Sequence, residues 1–309
     1  MVFTLLDVVN PLDVFWTLVT LAMVLASCCY FVKKDAAPGL LTAAMLYGKV
    51  AETNKKTRLL KDISIPKRWF KHFYQFGVVI FTFCTLCMVR SYIFGLPLPS
   101  MVSKVVSFFE PQQSTAASAT SILLVQVLET CQVYRRCYEC TFVSVYSNVR
   151  MHIWHYLMGY FFYFGVQLTI LANAPGLSGF TVPKFSVLDI SAHHIIGIAV
   201  FLWAFYVQFD SHLRMASLRK DPKGSVVTLN HKIPHGGMFT YVSCPHYMAE
   251  LVIYCALSLV LGKPNTTWWL MMAWNWSNQV AIAFLSHNWY RENFSSYPKT
   301  RKAIIPFVL

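Results

Sequence analysis

Residues 14–32 read VFWTLVTLAMVLASCCYFV, nineteen residues without an Asp, Glu, Lys or Arg. About 20 apolar residues in an α-helix cross the hydrocarbon core of a bilayer, so this stretch predicts a membrane span. Six more apolar windows follow, and the complete set of predicted spans is 14–32, 72–94, 118–134, 152–172, 190–208, 247–262 and 266–286. The third and the sixth are short or interrupted by polar residues, which leaves a six-span bundle as the alternative. The sequence therefore predicts an all-α integral membrane protein, a seven-transmembrane helix bundle forming one domain over residues 1–309.

Composition and charge agree with a membrane protein. Charged residues make up 13% of the chain and hydrophobic residues 56%, whereas an ordinary soluble domain has about 25% charged residues. Most of the 26 Lys and Arg residues lie in alternate connections, at 33–71, 135–151, 210–246 and in the C-terminal tail. The positive-inside rule then predicts a lumenal N-terminus and a cytosolic C-terminus. The net charge of +13 is explained by this orientation, and we expect no nucleic-acid partner.

Metal and nucleotide motifs are weak or absent in the sequence. Two cysteine pairs have C-x-x-C spacing, Cys84 with Cys87 and Cys137 with Cys140. A structural zinc site needs four ligands, so we expect buried thiols and no metal. Neither a G-x-G-x-x-G nor a G-x-x-x-x-G-K-[ST] motif occurs. A bound nucleotide would therefore have to lie between helices, with cations neutralising its phosphates.

Four of the predicted spans carry a polar stripe along one helical face. The stripes consist of Gln126, Glu129, Gln132 and Arg136 on the third span, Gln208 and His212 on the fifth, His246, Glu250 and Tyr254 on the sixth, and Asn275, Asn278, Gln279 and Ser286 on the seventh. Hydrogen bonds between helices, worth about 0.6 kcal/mol each, are the alternative explanation. Because the stripes approach the basic cytosolic ends, they favour a polar pocket that opens to the cytosol.

Several linked motifs resemble those of a known family. The segments KIPHGGMFTYVS (232–243), YMAE (247–250) and YPKTRKAIIPF (297–307) resemble the C-terminal signature of the steroid 5α-reductases. Within that family, IPKRWF (65–70), RRCYECTFVSVYSN (135–148) and FLSHNWY (284–290) are most similar to the polyprenol (polyprenal) reductase branch. The resemblance runs from about residue 47 to the C-terminus.

The resemblance implies a seven-helix protein of the endoplasmic reticulum membrane that binds NADPH from the cytosolic side and reduces a carbon–carbon double bond in a lipid. The implied cofactor-binding residues are Arg136, Gln208, His212, Arg219, His246, Glu250, Tyr290 and Arg301. Two departures stand out. His246 replaces the usual Asn, and Val133 and the segment 63–66 lack the Tyr and Glu that hold a steroid ketone. These departures disfavour a steroid and favour another lipid.

The expected function is therefore NADPH-dependent reduction of the α-isoprene unit of a polyprenyl lipid, supplying dolichol for protein glycosylation. The expected partners are that lipid and the bilayer, with no obligate protein partner. Three alternatives stay open: a steroid 3-oxo-Δ4 5α-reductase, a membrane methyltransferase and a non-enzymatic channel or scaffold. The linked Gly-Gly and Tyr-Pro-Lys motifs disfavour the methyltransferase, and polar stripes confined to cytosolic ends disfavour the channel.

Hydride chemistry predicts the oxidation state of the substrate. An isolated allylic alcohol offers no sink for the electron pair, whereas an α,β-unsaturated aldehyde passes the charge to its carbonyl oxygen. A positioned donor stabilises such an oxyanion by about 2.7–4 kcal/mol. Polyprenal is thus the expected acceptor. The candidate catalytic residues are Tyr134, Tyr74 and His72 as donors, and Glu139 as a proton source or orienting group.

Overall fold

The computed structural model describes residues 10–32, 64–109, 117–148, 150–177 and 182–309. Within these ranges each predicted span coincides with a helix, and one short helix, α3, was not predicted. The helices are α1 Pro11–Val32, α2 Phe70–Tyr92, α3 Ser100–Phe109, α4 Ala119–Tyr138, α5 Ile153–Ala172, α6 Ala192–Ser217, α7 Pro245–Leu261 and α8 Thr266–Asn293.

Three of the described helices are long and apolar enough to cross a membrane. They are α1, α2 together with the turn before it (Lys67–Tyr92), and α6. The chain is therefore a mostly helical membrane protein. The predicted total of seven spans stays a prediction: α3 and α7 are apolar but shorter, and α4, α5 and α8 do not combine the length and the apolar composition of these three.

A two-stranded sheet departs from the all-α prediction. Strand β1, Ser64–Pro66, pairs antiparallel with β2, Arg150–His152, with Ile65 opposite Met151. Arg150 Nε also donates to Ser64 Oγ at 2.8 Å. Strands of three residues are too short to produce a periodic pattern, so the sequence could not predict them. The sheet holds the start of α2 beside the start of α5.

Close helix packing depends on glycine at two contacts. A Cβ atom on Gly197 of α6 would lie 2.6 Å from Val260 Cγ2 and 3.1 Å from the Ala256 carbonyl oxygen of α7. A Cβ atom on Gly159 of α5 would lie 2.6 Å from the Phe73 ring of α2. Protein interiors are close-packed, so these glycines set the separation of their helix pairs.

Helix α4 supplies the centre of the buried polar core. The side-chain amides of Gln126 and Gln167 bond each other at 3.0 Å, which joins α4 to α5. Tyr254 of α7 donates to Glu129 Oε1 at 3.1 Å. The helix then continues into one π-helical segment, Glu139–Val143. π-Helical turns are often found at functional sites, and this one buries Glu139 completely.

The C-terminal segment packs back on the start of α7. Lys302 N donates to the Tyr241 carbonyl at 2.9 Å, and Ser243 N donates to the Lys302 carbonyl at 2.8 Å. Cys244 N then donates to the Ala303 carbonyl at 3.1 Å. These main-chain bonds place the end of the chain beside the polar ends of α7 and α8.

Candidate functional site

A cavity of about 550 Å³ lies between the helices. Its lining draws on α1, α2 and α4 to α8, and on the segments that follow α4 and α6. Pockets for small molecules and cofactors usually measure about 300–1,000 Å³ and combine apolar walls with a few polar groups. The cavity fits this description, because aliphatic residues of α1 face polar residues of α6, α7 and α8 within it.

A buried ionic cluster borders the cavity on the side of α4. Glu139 accepts hydrogen bonds from Arg135 and Arg136, and from His212 Nδ1 at 2.8 Å. Burial alone would raise the pKa of Glu139, but Arg136, His212 and Arg135 together hold it well below its usual range. Arg136 Nη2 also donates to the Tyr74 hydroxyl at 2.9 Å. The ionised carboxylate thus fixes Arg136, and Arg136 in turn fixes Tyr74.

A second cluster joins α4, α6 and α7. Gln208 Nε2 donates to Glu250 Oε2 and to the His246 carbonyl oxygen. Gln132 Nε2 donates to Gln208 Oε1 at 2.8 Å and to Glu250 Oε2 at 3.3 Å. The carboxylate of Glu250 is therefore held by two side-chain amides.

The segments that follow α4 and α6 complete the lining. Arg219 Nη1 donates to the Val145 carbonyl at 2.6 Å, and Arg219 Nη2 lies 3.2 Å from His231 Nδ1. On α8, the Tyr290 ring stacks on Tyr297 with centroids 5.3 Å apart and an interplanar angle of 8°. These contacts bring one basic side chain and one tyrosine into the cavity wall.

The structure brings most of the twelve predicted site residues together. Those that line the cavity are Tyr74, Arg136, Gln208, His212, Arg219, His246, Glu250 and Tyr290. Glu139 stands directly behind Arg136 and His212. The polar residues predicted on the seventh span, Asn275, Asn278, Gln279 and Ser286, also line the cavity.

Three predicted residues lie elsewhere in the described structure. Tyr134 is 48% exposed on the outer surface, where its hydroxyl is 2.8 Å from Thr82 Oγ1 of α2. His72 Nδ1 is 3.2 Å from the Tyr156 hydroxyl, outside the cavity lining. Arg301 is buried, and its Nη1 donates to the Pro234 carbonyl at 3.1 Å.

Several lining residues escaped the sequence analysis. Ser243 and Tyr146 both fall inside motifs that carried the resemblance, but no chemical argument singled them out. The aliphatic wall comes from Val19, Ala22, Met23 and Ala26 of α1. These four residues share one helical face, but apolar residues occupy the other faces of α1 as well, so the sequence carried no signal that this face lines a cavity.

The cysteine pairs form no metal site in the described part of the chain. Cys84, Cys87 and Cys140 are buried free thiols, and Cys137 is partly buried. No group of three or more His, Cys, Asp or Glu side chains there has the arrangement of a metal site.

The structure is a membrane helix bundle with a cavity lined by cations and amides, and the chain carries the C-terminal motifs quoted above. Together these features place it in the class of membrane-embedded reductases of the steroid 5α-reductase type. The family model described as 3-oxo-5-alpha-steroid 4-dehydrogenase matches residues 178–309.

Curated polyprenal reductases are similar over most of the chain. The human protein is 35% identical over 305 residues, which is 97% of this chain and 96% of its own length. The Xenopus tropicalis protein is 38% identical over 268 residues, 85% of this chain and 86% of its own. The Danio rerio protein is 34% identical over 313 residues, 99% of this chain and 100% of its own. The chain belongs to the polyprenal reductase branch of the steroid 5α-reductase family, which confirms the resemblance seen in its motifs.

Proposed function

We propose that this chain is an NADPH-dependent reductase that saturates the α-isoprene double bond of a polyprenal, giving the dolichal from which dolichol for N-glycosylation is made. Membership of the polyprenal reductase branch supports a reductase acting on a polyprenyl lipid. The single observation that carries the chemistry is the Arg136–Tyr74 pair, which lies in the wall of a cavity whose other face is aliphatic.

The cavity fits a dinucleotide that carries phosphates and amides. Arg219 and Lys232 supply cations to its lining. Asn275 is 1% exposed, and among the described residues its Oδ1 has no hydrogen-bond partner. Buried polar atoms are almost always satisfied, so this oxygen calls for a donor such as a carboxamide or a hydroxyl. When bound, NADPH would supply the hydride.

The contribution of the protein is to stabilise charge on the substrate carbonyl oxygen. Because the Tyr74 oxygen accepts from Arg136, its own proton is available for donation into the cavity. Glu139 keeps the guanidinium of Arg136 in place. We assign Tyr74 as the donor to the carbonyl oxygen and Glu139 as the group that orients it through Arg136. Tyr134 and His72 are left out of this assignment, because neither lines the cavity in the described structure.

The remaining lining suits an isoprenoid better than a steroid ketone. The α1 wall and Phe162 offer an aliphatic and aromatic surface, and burial of apolar area stabilises a complex by about 25 cal/mol per Å². Val133, at the position of the family's ketone-binding Tyr, is completely buried against Gly77 and has no hydroxyl to donate. The geometry thus supports polyprenal over the steroid alternative.

We infer that the cavity opens to the cytosol in the endoplasmic reticulum membrane. Arg136, Arg219 and Lys232 all belong to connections that the positive-inside rule places on the cytosolic side. NADPH would then enter from the cytosol, with the N-terminus in the lumen.

The test is NADPH oxidation by the purified protein in nanodiscs with polyprenal, a Δ4-3-ketosteroid or no acceptor. We expect oxidation only with polyprenal, together with a product heavier by two hydrogens in mass spectrometry. Reduction of the steroid at a comparable rate, or no polyprenal-dependent oxidation, would contradict the proposed function.

A further inference from the structure

The hydroxyl of Ser243 connects three separate parts of the chain. Ser243 stands just before α7, lines the cavity and is 2% exposed. Its Oγ lies 2.6 Å from His287 Nδ1 near the end of α8, 2.6 Å from the Tyr297 hydroxyl and 3.0 Å from the Lys302 carbonyl oxygen. We call these four groups the Ser243 hub.

Only one assignment of donors and acceptors makes all three contacts of Ser243 Oγ hydrogen bonds. A hydroxyl has one proton and two acceptor positions. Ser243 Oγ donates to the Lys302 carbonyl and accepts from both the Tyr297 hydroxyl and His287 Nδ1–H. Removing the serine hydroxyl would leave two donors without their shared acceptor. The loss is costly above all for the Tyr297 hydroxyl, because Tyr297 is buried.

The hub is coupled to the cavity wall through Tyr297. One face of the Tyr297 ring stacks on Tyr290, which lines the cavity. The Arg301 guanidinium carbon lies 5.1 Å from the Tyr297 ring centroid, and Arg301 Nη1 donates to the Pro234 carbonyl. Pro234 closely follows the stretch 230–232, which also lines the cavity.

We propose that Ser243 is a positioning residue, which sets the place of Tyr290 and of the segment 230–236 by holding Tyr297 and the C-terminal segment against α7. Arg301 then acts through Pro234 rather than by touching the ligand. This inference rests on the proposed function only in using NADPH as the ligand of one test. The C-terminal segment is then part of the binding site, although none of the residues 291–309 lines the cavity.

The first test is hydrogen–deuterium exchange of the ligand-free protein. Ser243→Ala should speed exchange of the amides at 230–236, and of the 243–244 and 302 amides that bridge α7 to the C-terminal segment. Ser211→Ala is the matched control, since Ser211 is 1% exposed and, within the described residues, its hydroxyl donates to the Val207 carbonyl of its own helix. The control should leave both regions unchanged.

The second test measures NADPH binding and turnover. Energy transfer from tryptophan to the nicotinamide monitors the binding, and steady-state kinetics give the turnover. Tyr297→Phe keeps the ring stack and loses the hydroxyl, so it isolates the hub from direct contact with the ligand. We expect about tenfold weaker binding for Ser243→Ala and Tyr297→Phe, with kcat at saturating NADPH kept within about twofold. The effects should not add in the double variant, and Ser243→Thr should restore binding.

The outcomes separate this inference from the proposed function. If polyprenal is not turned over, the exchange and binding measurements still test the hub. Exchange at 230–236 and NADPH affinity equal to those of Ser211→Ala would overturn the positioning role, even in an active enzyme. Should Ser243→Ala fail to fold, Tyr297→Phe decides the question by the same measurements.

Discussion

Glu139 shows how a single buried charge can serve a site. The carboxylate has no exposed surface and contacts two guanidinium groups. A buried ion pair seldom adds net stability, because desolvation offsets the attraction between the charges. Here two arginines share one acid, and Arg136 also donates to the Tyr74 hydroxyl. The role that we propose for the cluster is therefore to hold a donor in the cavity wall, and not to add stability.

Loss of the Tyr74 hydroxyl should therefore impair turnover. We expect Tyr74→Phe to lower kcat/KM for polyprenal by about 10²–10³, the cost of removing one oxyanion donor. Binding of NADPH should change little, because the ring and its packing are kept. Tyr206→Phe, a change at an exposed tyrosine of α6, serves as the control. If Tyr74→Phe turns polyprenal over at the wild-type rate, another group is the donor.

Glu250 provides a second prediction at the level of one side chain. Glu250→Gln keeps the shape and one acceptor oxygen for Gln208, but it removes the negative charge that both amides face. We expect normal abundance and at least a tenfold loss of kcat/KM, about 1.4 kcal/mol of transition-state stabilisation. Turnover of purified protein measures this, with exposed Glu292→Gln as the control. Unchanged turnover would show that Glu250 only joins helices.

At the scale of elements, periodicity predicted the helices and partly predicted their faces. Each long apolar window became a helix, whereas the short α3 and the two strands carry too few residues for a period to be recognised. Tyr134 shows how the turn of about 100° per residue places a side chain around its helix. It lies on the side of α4 opposite the stripe of Gln126, Glu129 and Gln132. These three residues bond to neighbouring helices and do not line the cavity, as the alternative explanation of the stripe predicted. The stripe still marks the buried side of α4, so it also predicts that Tyr134 points away from the core.

The contact between α6 and α7 yields a prediction about stability. In Gly197→Ala the new methyl group would meet Val260 at 2.6 Å and the backbone of Ala256 at 3.1 Å. Overpacking of this kind costs about 1–3 kcal/mol, so the thermal unfolding midpoint in detergent should fall. Ala199→Val adds volume on the exposed face of the same helix and should leave the midpoint unchanged. If Gly197→Ala unfolds at the same midpoint as Ala199→Val, then α6 and α7 can move apart enough to accept the added methyl group.

At the scale of the whole molecule, the site is assembled from residues that no local pattern connects. Ser243 meets His287 and Tyr297 across 44 and 54 positions, and the α1 wall faces α8 from the other end of the chain. Sequence periodicity orients a side chain around its own helix but does not say which helices are neighbours. The polar stripes could therefore be predicted, while the Ser243 hub and the aliphatic wall required the tertiary structure.

The arrangement of the whole cavity leads to an expectation about which form of the lipid reacts. In the proposed site, Tyr74 and Arg136 provide hydrogen-bond donors at the polar wall. Donors of this kind stabilise charge that develops on a carbonyl oxygen. A polyprenol has no carbonyl, so hydride addition to its double bond would place the charge on carbon, beyond the help of these groups.

We therefore expect purified protein with NADPH to reduce polyprenal and to leave polyprenol unchanged when no dehydrogenase is present. The two lipids should be matched in chain length, so that the aliphatic wall contributes equally to their binding. Product analysis by mass spectrometry measures both reactions, and a polyprenol dehydrogenase added to the second reaction should restore turnover there. Efficient reduction of the alcohol in the absence of that enzyme would show that charge is stabilised in some other way than through a carbonyl oxygen held by Tyr74.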